Sequence, residues 1–133
     1  FDEDDGGVVG LLDDDSKIVK SIKRAVTDSG NDIVFSNDPE KAGVNNLLGI
    51  YKVITGKSSD DVEKDFEGAR GYGILKEKVA EVVLETIKPI RQKYNEYISD
   101  QYELDRLLDI GAENARLISE PKVLEMKNKM GFI

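Results

Sequence analysis

The chain has 133 residues, 19 of them Lys or Arg against 27 Asp or Glu, for a formal net charge of −8, and it contains no Cys, His or Trp. That composition excludes disulfides, thiolate metal sites, a Cys nucleophile and a His acid–base catalyst, while the length fits one domain with a core of its own. The acidic balance argues against diffuse attraction to nucleic acid or anionic lipid, although a local basic stripe can sit on an acidic protein.

The first twelve residues read as a flexible acidic segment, with Asp2, Glu3, Asp4 and Asp5 followed by Gly6, Gly7 and Gly10. The spacing of those acids matches no calcium loop, so they are assigned to a solvated tail and no metal site is expected. Order is expected from residue 13, where Asp13-Asp14-Asp15-Ser16 supplies capping groups ahead of Ile18, Ile22, Ala25 and Val26 on one helical face. Lys17, Lys20, Lys23 and Arg24 fall on the opposite face. Residues 28–43 read as a connector, with an optional short extended piece at Ile33-Val34-Phe35.

A second helix is predicted over 44–55, carrying Leu47, Leu48, Ile50, Tyr51 and Ile54, with Gly56 just beyond its end. Ser58-Ser59-Asp60-Asp61 offers a cap for a short helix through Val62 and Phe66. Next comes a Gly-rich loop, Gly68-Ala69-Arg70-Gly71-Tyr72-Gly73. The strongest periodic run follows: Leu75, Val79, Val82, Val83, Ile87, Ile90, Tyr94, Tyr97 and Ile98, with Pro89 expected to kink the helix and not to end it. Another helix is predicted over 101–118, with Leu104, Leu107, Leu108, Ala112, Ala115 and Ile118 inward. Glu120-Pro121 should break it and start a last helix ending near Met130-Gly131. No segment alternates like a strand, so the class is all-α, an irregular bundle of about five or six helices. No apolar run reaches the roughly 20 residues of a membrane span, and no signal-peptide pattern opens the sequence, which makes the cytoplasm the expected compartment.

Specific strings go further than periodicity. Leu11-Leu12-Asp13-Asp14-Asp15-Ser16-Lys17-Ile18 running on to Lys23-Arg24-Ala25-Val26-Thr27-Asp28-Ser29 resembles the stretch after the Met-Ser-Lys-Ser loop of bacterial-type tryptophanyl-tRNA synthetases. Gly43-Val44-Asn45-Asn46-Leu47-Leu48-Gly49-Ile50-Tyr51 is similar to that family's next helix. Phe66-Glu67-Gly68 with Gly71-Tyr72-Gly73, Ala80-Glu81-Val82-Val83 with Lys88-Pro89-Ile90, and Gly111-Ala112-Glu113-Asn114-Ala115 follow in the family's order. The sequence departs from the family at Asp15, often Pro there, at Ile74-Leu75, and in a Gly68–Gly71 loop one residue longer than usual.

The resemblance implies a class I aminoacyl-tRNA synthetase C-terminal part, with residues 13–133 forming the helical anticodon-binding domain. The implied parent is a homodimer that activates tryptophan with ATP and Mg²⁺ and transfers it to tRNA(Trp). Its catalytic domain would lie upstream of Phe1, so the chain is expected to be an inactive, monomeric fragment with no catalytic residue or cofactor of its own, and with that domain and tRNA(Trp), but not DNA or a membrane, as partners. Unpaired anticodon bases are read by stacking on aromatic or guanidinium planes and by hydrogen bonds to base edges. Arg70 and Tyr72 in the Gly-rich loop have that chemistry, and Lys76 could reach a phosphate. The other assignment for this loop is that Tyr72 packs between helices and the glycines only allow a tight turn. Lys17, Lys20, Lys23 and Arg24 are candidates for the tRNA backbone, against a face that merely pairs with nearby acids. Arg91 and Lys93 carry the same ambiguity, and of Tyr94, Tyr97 and Tyr102 two fall on the apolar stripe and are expected in the core. The alternative function is a helical protein–protein interaction or structural cap module without RNA binding. It would leave a contiguous apolar patch exposed instead of a salt-sensitive basic one. The related tyrosine enzyme is disfavoured, because its usual basic RNA-binding module has no counterpart here.

Overall fold

A computed structural model of the chain describes residues 7–132, so the acidic residues 2–5 and Gly6 of the expected N-terminal tail lie outside the described residues. The described residues hold five α-helices, one 3₁₀ turn and no strand: α1 (Asp15–Arg24), the 3₁₀ turn (Pro39–Lys41), α2 (Ala42–Thr55), α3 (Ser59–Asp65), α4 (Tyr72–Ser99) and α5 (Gln101–Lys129). The chain divides into two compact units, the first ending at Arg91 and the second starting at Gln92.

Local chemistry accounts for the boundaries in the first unit. The Asp14 carboxylate accepts from the Lys17 amide at 2.8 Å and starts α1, with Asp15 favourably placed in its positive first turn. Asp38 caps the 3₁₀ turn by accepting from the Glu40 amide, and Pro39 fills the first position, where a missing N–H costs nothing. Ser58 caps α3 through the Asp61 amide at 3.2 Å. α2 ends at Gly56, the predicted stop.

The core is laid along one stripe of α4, formed by Tyr72, Leu75, Val79, Ala80, Val83 and Ile87. The same cluster contains Ile18 and Ile22 of α1, Val44, Leu47, Leu48 and Tyr51 of α2, and Val62 and Phe66 of the α3 region. Each large side chain buried here contributes roughly 1.5–3 kcal/mol. The connector has no strand, but its Ile33 is buried and Phe35 partly so. Its backbone is held from both sides: the Phe35 amide donates to Glu63 at 2.8 Å, and the Ser36 amide to the Asn45 side chain at 3.0 Å. The Tyr51 ring meets Phe66 edge-on at 5.2 Å and its hydroxyl donates to Asp65 at 3.1 Å, which ties α2 to α3. A Cβ on Gly43 would lie 2.0 Å from the Val26 carbonyl oxygen, so only glycine lets α2 start this close to the end of α1.

Three expectations are corrected. Val26 is 85% exposed instead of inward, because α1 stops at Arg24 and the Ala25 amide turns back to the Ile22 carbonyl, which ends the helical phase one residue earlier. The apolar stripe of α4 is buried only to Ile87; Ile90, Tyr94, Tyr97 and Ile98 are all exposed, and so is Tyr102 beyond them. The helix itself continues through Pro89. Finally, Pro121 does not break the last segment. α5 is one helix of 29 residues without a single buried side chain, so Leu104, Leu107, Leu108, Ala112, Ala115 and Ile118 do not form an inward face. In an exposed helix water can solvate the carbonyl that the proline leaves without a donor, which lowers the usual penalty of a helical proline.

This distribution sets the expected response to truncation. Leu75→Ala should cost about 2–5 kcal/mol in urea unfolding, because Leu75 is fully buried, whereas Leu117→Ala should change stability by less than about 1 kcal/mol. Gly43→Ala should destabilise despite the better helix propensity of alanine.

Candidate nucleic-acid interface

α1 turns its apolar residues inward and leaves four cations outside. Lys17, Lys20, Lys23 and Arg24 are all exposed. Lys17 pairs with Asp13 at 2.9 Å. Lys20, Lys23 and Arg24 form no ion pair among the described residues, and they line one shallow surface groove together with Asp15, Ser16 and Val19. The acids that could have neutralised this face are engaged elsewhere. Asp15 receives Arg91 at 2.5 Å and Lys88 at 3.3 Å, and Arg91 also donates to the Asp13 carbonyl oxygen. Hydrogen bonding from Arg91 is the main reason the Asp15 carboxyl is held below the usual carboxylate range. Arg91 is therefore a brace between α4 and the start of α1. Lys93 is likewise occupied, by Glu96 at 2.8 Å.

The Gly-rich segment divides into parts with different roles. Gly71 has a φ of 86°, a left-handed conformation that glycine takes without strain, and its amide donates to the Asn31 carbonyl. Arg70, just before it, is exposed and forms no ion pair among the described residues. Tyr72 and Gly73 belong to the first turn of α4 and not to the loop. The Tyr72 residue is only 7% exposed, so its ring has no open face for a base. Its hydroxyl donates to Asp28 and accepts from Lys41 at 3.1 Å, while Lys41 lies 3.3 Å from the other Asp28 oxygen. Lys76, one turn further along α4, is half-buried and without an ion pair among the described residues.

This Asp28–Tyr72–Lys41 cluster escapes sequence reading, because its members stand 44 and 31 residues apart and no local pattern joins them. The hydrogen bond from Tyr72 is the main cause that keeps the Asp28 carboxyl below its ordinary range, with the Gly30 amide and Lys41 adding to it. Burial, then the Asp28 carboxylate, pushes the Tyr72 phenol up. The Tyr72 hydroxyl and Asp28 raise Lys41. The cluster is thus an ionised lock at neutral pH that fastens the connector to the start of α4, two residues along the chain from Arg70. Among the described residues no three carboxylates converge to hold a metal ion. No helix is long and apolar enough to cross a membrane.

Three relatives illustrate what the chain is similar to. It is 42% identical over 125 residues to the tryptophan–tRNA ligase of Wolinella succinogenes, covering 94% of this chain and 37% of that protein. It is 43% identical over 128 residues to that of Corynebacterium glutamicum, covering 96% and 36%. The protein of the same name from Enterococcus faecalis is 41% identical over 126 residues, covering 95% and 37%. The chain thus spans a little over a third of the length of the curated relatives it matches. No protein-family model matches it.

The lock gives a pH prediction. A carboxyl whose folded pKa lies below its unfolded value stabilises the fold above the unfolded value, about 4, and that contribution is lost as pH falls through the folded one. Urea unfolding of the wild type should therefore weaken progressively below about pH 4. Asp28→Asn should be weaker at pH 7 and should lose less between pH 5 and pH 3. An equal loss in both proteins would remove Asp28 from the lock.

Proposed function

Because the chain belongs, over nearly its whole length, to the tryptophan–tRNA ligase family, we propose that it is the C-terminal tRNA-recognition part of such a ligase. The observation that carries this reading is the 40–43% identity to proteins of that name across 92–98% of the chain. The partner is tRNA(Trp), met in the cytoplasm. The rest of the ligase supplies the ATP- and Mg²⁺-dependent activation of tryptophan and forms the parent homodimer, and it is the second partner of these helices. The residues of this chain bind and orient tRNA and make or break no bond.

Two elements divide the work. Lys20, Lys23 and Arg24, with Lys17 beside them, hold backbone phosphates through sequence-blind, salt-dependent contacts. Their suitability comes from being exposed and, for the first three, free of acid partners among the described residues, on a chain that otherwise carries a net charge of −8. Arg70 offers a guanidinium plane and donors to an unpaired anticodon base, with Lys76 behind it for a phosphate. Tyr72 serves as the positioning residue of that loop, through Asp28 and Lys41, and not as a stacking ring. A second reading, an interaction module without RNA affinity, is favoured by the apolar exposure of α5.

Fluorescence anisotropy with a tRNA(Trp) anticodon stem-loop, across a salt series and beside a scrambled loop, tests the assignment. Replacing Lys20, Lys23 and Arg24 by Ala should weaken both RNAs alike and reduce the salt slope by about one unit per cation. Arg70→Ala should instead remove the preference for the native loop. Tyr72→Phe, which keeps the ring and removes its hydrogen bonds to Asp28 and Lys41, should lower that preference less than Arg70→Ala does. No binding by the wild type at low salt would leave the interaction-module reading standing.

A further inference from the structure

The cationic face of α1 contains a group that opposes it. The groove lined by Lys20, Lys23 and Arg24 also has Asp15 on its wall, with a side chain 44% exposed and ionised at neutral pH. Left uncompensated, that carboxylate would attract the neighbouring cations and repel a phosphate, since charges act over about 10 Å at 0.1 M salt. The two acids before it do not line the groove. Asp13 pairs with Lys17 at 2.9 Å, and Asp14 accepts from the Ser16 hydroxyl and the Lys17 amide.

Both oxygens of Asp15 are met by α4. One accepts from the Arg91 guanidinium at 2.5 Å, and the other lies 3.3 Å from the Lys88 ammonium. Lys88 and Arg91 stand three residues apart and so share one side of the helix. Arg91 is held in place by a second bond, to the Asp13 carbonyl oxygen, and its side chain is only 22% exposed. It is thus half as open as the carboxylate it meets, which suits it to cancelling Asp15 and not to reaching RNA itself. A partly exposed ion pair adds little to stability. The field that this one cancels lies where a polyanion is to sit.

We propose that Arg91 is a positioning residue of the phosphate-binding face: it masks Asp15, with Lys88 on the second oxygen, so that the groove presents Lys20, Lys23 and Arg24 without an opposing charge. The masking rests on the reading of that groove as a contact for the tRNA backbone, and it brings a second helix, α4, into that contact without any touch between α4 and RNA.

Anisotropy with a tRNA(Trp) transcript across a salt series tests the masking, with circular dichroism to check that each variant is folded. Arg91→Gln should bind roughly two- to five-fold more weakly than the wild type at low salt, while Arg91→Lys stays near it. Asp15→Asn should bind more tightly by a similar factor. Asp15→Asn combined with Arg91→Gln removes the carboxylate and its mask together. It should regain the affinity and salt slope of the wild type although the contact between α1 and α4 is gone. A double variant as weak as Arg91→Gln overturns the proposal in favour of a purely structural brace. A salt slope about one unit lower in both chains carrying Arg91→Gln overturns it in favour of direct phosphate contact. Unchanged binding by Arg91→Gln overturns it as well. If Arg91→Gln does not fold, Asp15→Asn decides: tighter binding supports the masking, and equal or weaker binding overturns it. Failure of the underlying reading looks different, because replacing Lys20, Lys23 and Arg24 by Ala would then leave affinity unchanged, or the wild type would bind no tRNA; either result overturns both.

Discussion

The burial of one stripe along the first half of α4 is the constraint on which the rest of the first unit depends. Tyr72, Leu75, Val79, Ala80, Val83 and Ile87 share a face at helical spacing, and α1, α2 and α3 each commit apolar residues to the same cluster. No buried polar or charged residue is found among the described residues. Removing apolar area from water is therefore the main favourable term, and polar groups act at the edges of the core. Two of those edges bear on the proposed function. The Arg91 and Lys88 contacts to Asp15 fix the start of α1, and the Asp28–Tyr72–Lys41 lock fixes the start of α4. Each uses one side chain, Arg91 in the first and Tyr72 in the second, that the sequence alone also offers for nucleic acid.

The elements that were legible in the sequence are those whose signal is local. Asp14, Ser58 and Gly56 mark boundaries through groups within four residues of themselves, and the periodic run from Leu75 to Ile87 specifies its own buried face. What failed was long-range or depended on solvent. Apolar spacing alone says that a face is available to be buried, not that anything buries it, which is why periodicity points Tyr94, Leu108 and Ile118 inward although all three are exposed. Pro121 misled for a related reason: its cost depends on whether the carbonyl it leaves behind can meet water, and on α5 it can.

The candidate site shows the same division. The α1 cations could be read from their spacing on one helical face. That Lys20, Lys23 and Arg24 are without an acid partner among the described residues while Arg91 and Lys88 are occupied could not, because ion pairing between α4 and α1 joins residues more than 70 positions apart. Tyr72 is the clearest case. A tyrosine between glycines satisfies the chemistry of base stacking and that of a packed anchor equally well, and only its burial distinguishes the two. Burial leaves Arg70, and not Tyr72, as the exposed side chain of that segment, and the Tyr72 hydroxyl joins the connector to the start of α4.

The proposed contact of an acidic chain with RNA through a small number of uncompensated cations implies a restricted footprint. Hydrogen–deuterium exchange of the chain, with and without tRNA(Trp), tests this most directly. The account predicts slowed exchange in residues 15–24 and 68–72 and unchanged exchange in residues 101–129. Protection confined to 101–129, or spread evenly over the chain, would contradict it.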